Sequence, residues 1–481
     1  MNSARDSIDQ RARGDWAFSA TVLMVALLPR LFVAIAWARE PVWDAHYYHF
    51  GAERIAAGLG YSEDVVINGV AVAKPWVHYP VGYSALLGIL YKIFGSGLAV
   101  APIINALLGA LSVLAVHRLA MFYLSKNRAR VAAGLCALHP GLIAYTVVVM
   151  TETLAALLLI AAGLFAMRWR GRWLGIVTAG VTLGLAVLVR PSSLLVAPLL
   201  AFTQPRPVWN ALLRSAAALA LALVVVSPWT IRNCMKMDGC ALVSTNGGWN
   251  LAIGALSNTG RFQTLRAADG CKIVTGQVQQ DRCWAKVGRE VILKNPMRWI
   301  GLMPKKLGQT FDHESFAIEY LREADPMSWP EARRVAARQL LTLFHRLLLV
   351  AAALSAVALV GARVSRESRL SGLRREWVVQ TAALIAIFVL AAYAFAGDSH
   401  PFFWLAVLAP LIALVHLPGR PEQGPVGRYL LGLLAVTALT HAVFFGDDRY
   451  HIVVAPVLCI LAAAALRPSG AAESASSAAL G

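Results

Sequence analysis

Apolar runs of spanning length recur along almost the whole chain, separated by short polar joints and interrupted by a few longer polar stretches. A helix crossing about 30 Å of hydrocarbon needs roughly 20 apolar residues. The runs near 17–37, 98–122, 131–147, 149–167, 173–188, 191–203, 212–230, 342–362, 377–396, 402–417, 428–445 and 452–466 predict about twelve spans. Several of them, 191–203 above all, are short for that task. No small-residue cleavage motif follows the first run, which predicts a retained span and not a signal peptide.

Charge sets the orientation. Lys126, Arg128 and Arg130 follow the second run, Arg168, Arg170 and Arg172 the fourth, Arg206 and Arg214 the sixth. Arg363, Arg366, Arg369, Arg374 and Arg375 follow the eighth, and Arg420 and Arg428 the tenth. All fall on the side of both termini, which the positive-inside rule makes cytoplasmic. The layout expected is a cytoplasmic N-terminus (1–16), a transmembrane module (17–230) with an outer loop at 38–97, an external subdomain (231–340), a second transmembrane module (341–466) and a cytoplasmic tail (467–481). Inside the outer loop, helix is expected after Asp44, and Asn68-Gly69 between β-branched runs predicts a hairpin. The apolar stretch from Gly82 to Phe94 is too short to span and suits an interfacial or re-entrant helix.

Composition agrees with this reading and narrows it. The 481 residues are 58% hydrophobic and 15% charged, against about a quarter charged in soluble domains. The net charge of +18 would suggest nucleic acid in a soluble protein, but here the basic residues lie in short loops between spans. Of six cysteines, Cys136 and Cys459 lie in spans, while Cys234, Cys240, Cys271 and Cys283 share the external segment. Four cysteines on the exported side read as two disulfides with three pairings open; nearest-neighbour pairing, Cys234–Cys240 and Cys271–Cys283, is the one expected.

The charged residues near span ends on the outer face are Asp44, Glu152, Arg190, Arg232, Lys305, Lys306, Asp398, Asp447, Asp448 and Arg449. A carboxylate can take the proton of an attacking hydroxyl, and cations can hold a departing phosphate. Taken singly, each has a plainer use. Asp44 would cap a helix starting at Ala45, Glu152 would favour a helix N-terminus, Arg190 would snorkel, Arg449-Tyr450 would anchor at the interface, and Lys305-Lys306 would face water. His46, His49 and His78 offer ring nitrogens for a metal, and Asp44 and Glu152 offer oxygen ligands for a divalent ion. Their shared side is what joins these residues into a site.

The order of motifs resembles the GT-C glycosyltransferases, in particular bacterial relatives of the protein O-mannosyltransferases and of the lipid A aminoarabinose transferase. The resemblance rests on Trp43-Asp44-x-x-Tyr47-Tyr48, Ala57-Gly58-x-Gly60-Tyr61, Tyr79-Pro80-Val81-Gly82-Tyr83 and Thr151-Glu152. It continues through Arg190-Pro191, Pro228-Trp229-x-x-Arg232-Asn233, Ser244-Thr245-Asn246-Gly247-Gly248-Trp249-Asn250-Leu251-x-Ile253-Gly254, and Arg449-Tyr450 with Pro456. It implies an all-α polytopic enzyme that moves a sugar from a polyprenyl-phosphate donor to an acceptor hydroxyl on the exported face. Asp44 would be the catalytic acid of the first outer loop, Glu152 a second polar group, and Arg449, Arg190, Lys305 and Lys306 phosphate contacts; His46, Tyr48, His78, Tyr79, Tyr83 and Tyr450 would line the pocket. Ala45 stands where protein mannosyltransferases carry a second acid, and Val81 where they carry a second proline; among glycan, lipid and protein acceptors, these departures speak against protein and leave glycan and lipid open.

The rival class is a glycolipid transporter or flippase, whose ionisable residues and broken helices lie near mid-membrane. The apolar runs are poor in such charge, which favours the enzyme; a binding-only relative is the third alternative.

Overall fold

The computed structural model of the chain describes residues 15–205, 207–272, 276–367 and 424–466, with short pieces of 385–408. The expected spans 377–396 and 402–417, and the turn with Asp398, lie mostly or wholly outside the described residues. The rest is helical apart from one hairpin: an all-α, polytopic membrane architecture. Five described helices are long and apolar enough to cross a membrane: α1 (Trp16–Ala36), α4 (Val100–Ala120), α9 (Val208–Lys236), α14 (Glu331–Glu367, apolar through Ser355) and α15 (Gly424–Val443). In α1 and α9 only 33% and 28% of the best apolar window is buried, against 61% in α4 and α15. The former present apolar stripes outward, such as Leu28, Phe32 and Ile35 on α1, as helices facing lipid do.

Several expected spans take other forms. The run 131–147 breaks into α5 (Lys126–Ala137) and α6 (Pro140–Ala144, extended by a 3-10 turn to Val147), bent by 46° at Leu138-His139. The runs near 149–167 and 173–188 become α7 (Glu152–Arg168) and α8 (Trp173–Val189), 17 residues each. The run 191–203 is not α-helix but thirteen residues of 3-10 helix, Pro191–Thr203. At about 2.0 Å rise per residue that form reaches about 26 Å, a length the same residues could not reach as α-helix. The last run starts as a 3-10 segment, Asp448–Val454, and continues as α16 (Ala455–Ala464).

Charge inside the spans is less scarce than the sequence reading holds. Arg30 of α1 is 1% exposed and donates to the carbonyls of Ala26, Ala137 and Cys136, the last two being orphans of the α5 terminus. Arg346 of α14 is buried and donates to the Asp312 carbonyl at 2.7 Å. Both are bound to backbone carbonyls of neighbouring segments, a static use. At the other end of α1, buried Asp15 gathers Arg130, Lys126 and His117.

The outer loop holds α2 (Asp44–Ala56), the antiparallel pair β1 (Ser62–Ile67) and β2 (Val70–Pro75), and α3 (Val81–Phe94). Asn68 and Gly69 turn the hairpin with φ of 51° and 80°, the mirror-image turn that suits strand twist. At Gly82 a Cβ would come 2.7 Å from the Leu188 backbone, so this glycine lets α3 cross the end of α8 just before Arg190. Between α9 and α14 lie α10 (Gly247–Leu256), α11 (Gln277–Lys294), α12 (Pro296–Phe311) and α13 (Phe316–Ala324). Cys234 pairs with Cys240 and Cys271 with Cys283, the nearest-neighbour pairing, and Cys136 and Cys459 are free and buried. Mass spectrometry of unreduced, denatured protein after alkylation should therefore show two labels, on Cys136 and Cys459; four or more would contradict the pairing.

Candidate active site

The site starts from a strained residue. Trp43 has φ 54° and ψ −136°, outside the range a bulky side chain normally takes, and its ring is held edge-on against Phe316 and Tyr320 of α13. Asp44 is then the first residue of α2, and its side chain caps nothing. It accepts the Tyr79 hydroxyl at 2.7 Å on Oδ1 and the Arg449 guanidinium at 2.8 Å on Oδ2. Strain at such a position is characteristic of functional sites.

Arg449 is the hub. Besides Asp44 it meets the Tyr450 hydroxyl at 3.3 Å and the Met150 sulfur at 3.3 Å, and lies over the Phe316 ring. Its Nε is buried without a hydrogen-bond partner. Tyr450 lies between two cations, with the Arg449 and Arg190 guanidinium carbons 5.0 and 5.3 Å from its ring centre. His441 stacks on it at 3.9 Å, and Phe445 packs against its edge. Arg190 closes the row on buried Glu152, at 2.7 Å. A continuous series Asp44–Arg449–Tyr450–Arg190–Glu152 thus joins two carboxylates through two guanidiniums and one phenol.

The backbone around this row is tied from several sides. The Asp447 side chain accepts the Arg449 N–H, and Asp448 accepts from Ser315 N, Ser315 Oγ and Phe316 N, capping α13. These two outer acids are spent on holding the turn. Arg232 donates to the carbonyls of Tyr61 and Trp76, and the Tyr61 hydroxyl donates to the Tyr79 carbonyl, which fixes the Tyr79 loop. At Gly254 a Cβ would meet the Phe444 carbonyl oxygen at 1.8 Å, so this glycine lets α10 brace the approach to the same turn.

Electrostatics follow the geometry. Burial would raise the Asp44 carboxyl, but Arg449 and the Tyr79 hydroxyl outweigh it and hold Asp44 below the usual carboxylate range. Burial, reinforced by Asp44, keeps the Tyr79 phenol protonated. His78 is pushed down to about 4 by burial against the pull of Asp44, so it stands neutral beside that acid at pH 7.

Of the other residues singled out in the sequence, Tyr48 is buried with its ring against Tyr79 and Tyr83, and the Tyr83 hydroxyl donates to Asn105 at 2.8 Å. His46 points outward and stacks on Phe50, while His49 is engaged by Tyr91 at 2.7 Å; these two and His78 do not form a metal site. The two lysines differ in placement. Lys305 is exposed, and Lys306 is buried with Nζ donating to the Val443 carbonyl at 3.0 Å and lying over Trp299. Burial lowers the Lys306 ammonium to about 8, with Arg298 adding to the effect. The unfolded chain then binds more protons between about pH 8 and 10.5, so Lys306 lowers stability at neutral pH and the penalty lifts as pH rises. Lys306→Met should accordingly raise the melting temperature more at pH 7 than at pH 10; an equal effect at both would contradict a buried ammonium. Met150, Phe316 and His441 escaped the sequence reading because nothing in an apolar context distinguishes a residue that touches an arginine from one that fills a core. A cleft beside the row is lined by Leu159, Arg190, Ser193, Leu433, Thr437 and Tyr450, among others.

Residues 78–231, which include Tyr79, Glu152 and Arg190, match the family described as dolichyl-phosphate-mannose-protein mannosyltransferase. No curated protein matches the chain significantly. Among solved structures, the Archaeoglobus fulgidus oligosaccharyltransferase tethered to an acceptor peptide is 16% identical, with a TM-score of 0.47, over 94% of this chain and 49% of that one. ArnT from Cupriavidus metallidurans bound to undecaprenyl phosphate is also 16% identical, at 0.37, over 90% and 89%. The chain spans about half the length of the oligosaccharyltransferases it matches. The family match, falling on the stretch that carries Arg190 and Glu152 of the row, agrees with the GT-C glycosyltransferase superfamily.

Proposed function

We propose that this chain is an inner-membrane glycosyltransferase that moves a sugar from a polyprenyl-phosphate donor to an acceptor hydroxyl on the exported face. The observation that carries the reading is the continuous row from Asp44 to Glu152. It sets a carboxylate suited to take a proton next to two guanidiniums suited to hold a phosphate.

The reaction is a single inverting displacement. The acceptor oxygen bonds to the anomeric carbon as the bond from that carbon to the phosphate oxygen breaks, the electron pair leaves with the phosphate, and the hydroxyl proton passes to Asp44. Arg449 offers its unpartnered Nε to the phosphate, and Arg190 faces the cleft whose apolar walls, Leu159, Val196 and Leu433, suit a prenyl tail. In the resting state Arg449 makes Asp44 a weak base. A phosphate that draws Arg449 toward itself relaxes that hold, so donor binding raises the basicity of Asp44 when it is needed. Each carboxylate faces its own guanidinium, which sets positive charge beside both.

The test is mass spectrometry of surface glycans, glycolipids and exported proteins from cells with and without the gene, followed by assay of purified protein with a synthetic polyprenyl-phosphate sugar. A glycosyl mass increment that disappears with the gene, and inversion at the anomeric carbon in vitro, are expected. Unchanged glycans together with protein-dependent movement of the intact lipid across vesicles would instead establish the transporter.

A further inference from the structure

A second polar cluster, separate from the row, lies behind the outer turn. Glu314 sits between α12 and α13, His345 on α14, and His451 two residues after Arg449; the three side chains are at most 4% exposed. His451 Nε2 is 3.1 Å from Glu314 Oε2, and His345 Nδ1 is 3.8 Å from the same oxygen. The far nitrogen of each ring is committed elsewhere: His451 Nδ1 lies 2.7 Å from the Thr310 carbonyl and His345 Nε2 3.0 Å from the Phe311 carbonyl. A carbonyl only accepts, so each ring carries a proton there; His451 Nε2 is within hydrogen-bond distance of Glu314, while His345 Nδ1 has no hydrogen bond. A neutral His345 turns its lone pair toward the carboxylate, and in a buried site water does not screen that repulsion.

Other atoms of the cluster also lack partners. Glu314 Oε1, His345 Nδ1 and His139 Nε2 are buried without hydrogen bonds. His139 stands at the α5–α6 break, two residues before Gly141, and Glu314 Oε1 lies 1.1 Å from where a Gly141 Cβ would sit. The carboxylate therefore reaches into the break, and only glycine leaves it room.

Two histidines oriented by backbone carbonyls on the far nitrogen, with one carboxylate, form a donor set for a divalent transition metal. We propose that Glu314, His345 and His451 hold such an ion, zinc by preference, as a structural centre pinning the segment after α12, α14 and the Arg449-bearing turn to one another. The three ligand atoms lie within 4.8 Å of one another. Tetrahedral bonds of about 2.1 Å place ligand atoms about 3.4 Å apart, so closure requires a movement of about an ångström. The two rings are stacked at 3.9 Å and inclined by 24°, so the nitrogens they turn toward Glu314 lie on one side of the pair. The centre uses neither Asp44 nor Glu152.

The test is elemental analysis of the full-length protein, purified in detergent without chelator and with any histidine tag removed. About one zinc per chain is expected in the wild type, Asp44→Asn and Glu152→Gln proteins, with a loss of at least fivefold in His345→Asn and Glu314→Gln. Should those variants fail to fold, wild-type protein stripped by a chelator should melt at a lower temperature and recover on addition of zinc alone. Metal-free wild-type protein would overturn the centre, since the cluster would then be an imidazolium–carboxylate pair. So would an ion kept by His345→Asn and lost from Glu152→Gln, or a melting temperature indifferent to stripping.

Discussion

Asp44→Asn protein should insert, fold and bind donor like the wild type, yet turn over about 10²–10⁴-fold more slowly. Asn keeps the size of Asp and can still accept the Tyr79 hydroxyl that Asp44 accepts at 2.7 Å. It loses the charge opposite Arg449 and the capacity to take up a proton. The Asp44 side chain is 30% exposed, so the lost ion pair should lower stability only modestly. Three measurements check this: donor binding, single-turnover transfer and a melting curve. Transfer within a few-fold of wild type would remove Asp44 from the mechanism and make Glu152 the next candidate, with Glu152→Gln as its test.

Arg449→Ala should damage two quantities together, weakening donor binding and reducing turnover by about 10²–10³-fold, as expected for loss of a charged donor to a leaving group. Arg449→Lys should recover only part of this, because a single ammonium nitrogen cannot span Asp44 and the Tyr450 hydroxyl as the separate Nη1 and Nη2 of Arg449 do. The pH profile supplies an independent readout. Arg449 is a chief reason that the Asp44 carboxyl lies below its usual range. The stabilisation from that pair is fully present above the unfolded carboxylate value of about 3.9 and lost as pH falls through the lower folded value. Removing Arg449 takes away the largest influence opposing burial and leaves chiefly the Tyr79 hydroxyl against it, so the acid limb of residual activity should move to higher pH. An unmoved limb would show that Asp44 does not titrate in that limb.

The fold class was legible because a lipid solvent demands long apolar runs and closed backbone hydrogen bonding, and composition alone records the first of these. The hairpin at Asn68-Gly69 was legible for a similar reason: the turn geometry leaves few alternatives. The 3-10 form of Pro191–Thr203 was not, since nothing in periodicity separates a thirteen-residue α-helix from its tighter relative. Asp44, Glu152, Arg190 and Arg449 stood out as charges among apolar neighbours, and the structure sets them in one row. Lys306 carried the same signal yet its ammonium is engaged by the Val443 carbonyl, because charge at a span end does not say which way a side chain turns. Glu314 and His345 were passed over for the opposite reason: each polar group is alone in its stretch of sequence, and only tertiary packing brings them to His451.

Asp44 and Arg449 are 405 residues apart in the chain, yet they share one ion pair. During biogenesis the first outer loop emerges long before the final turn exists, so no partly made chain can hold a complete row. Contacts of such long sequence separation form late and slowly. On the proposed reading, transfer has to await the segment that carries Arg449, and a chain truncated before Gly446 should be membrane-bound but without transfer activity.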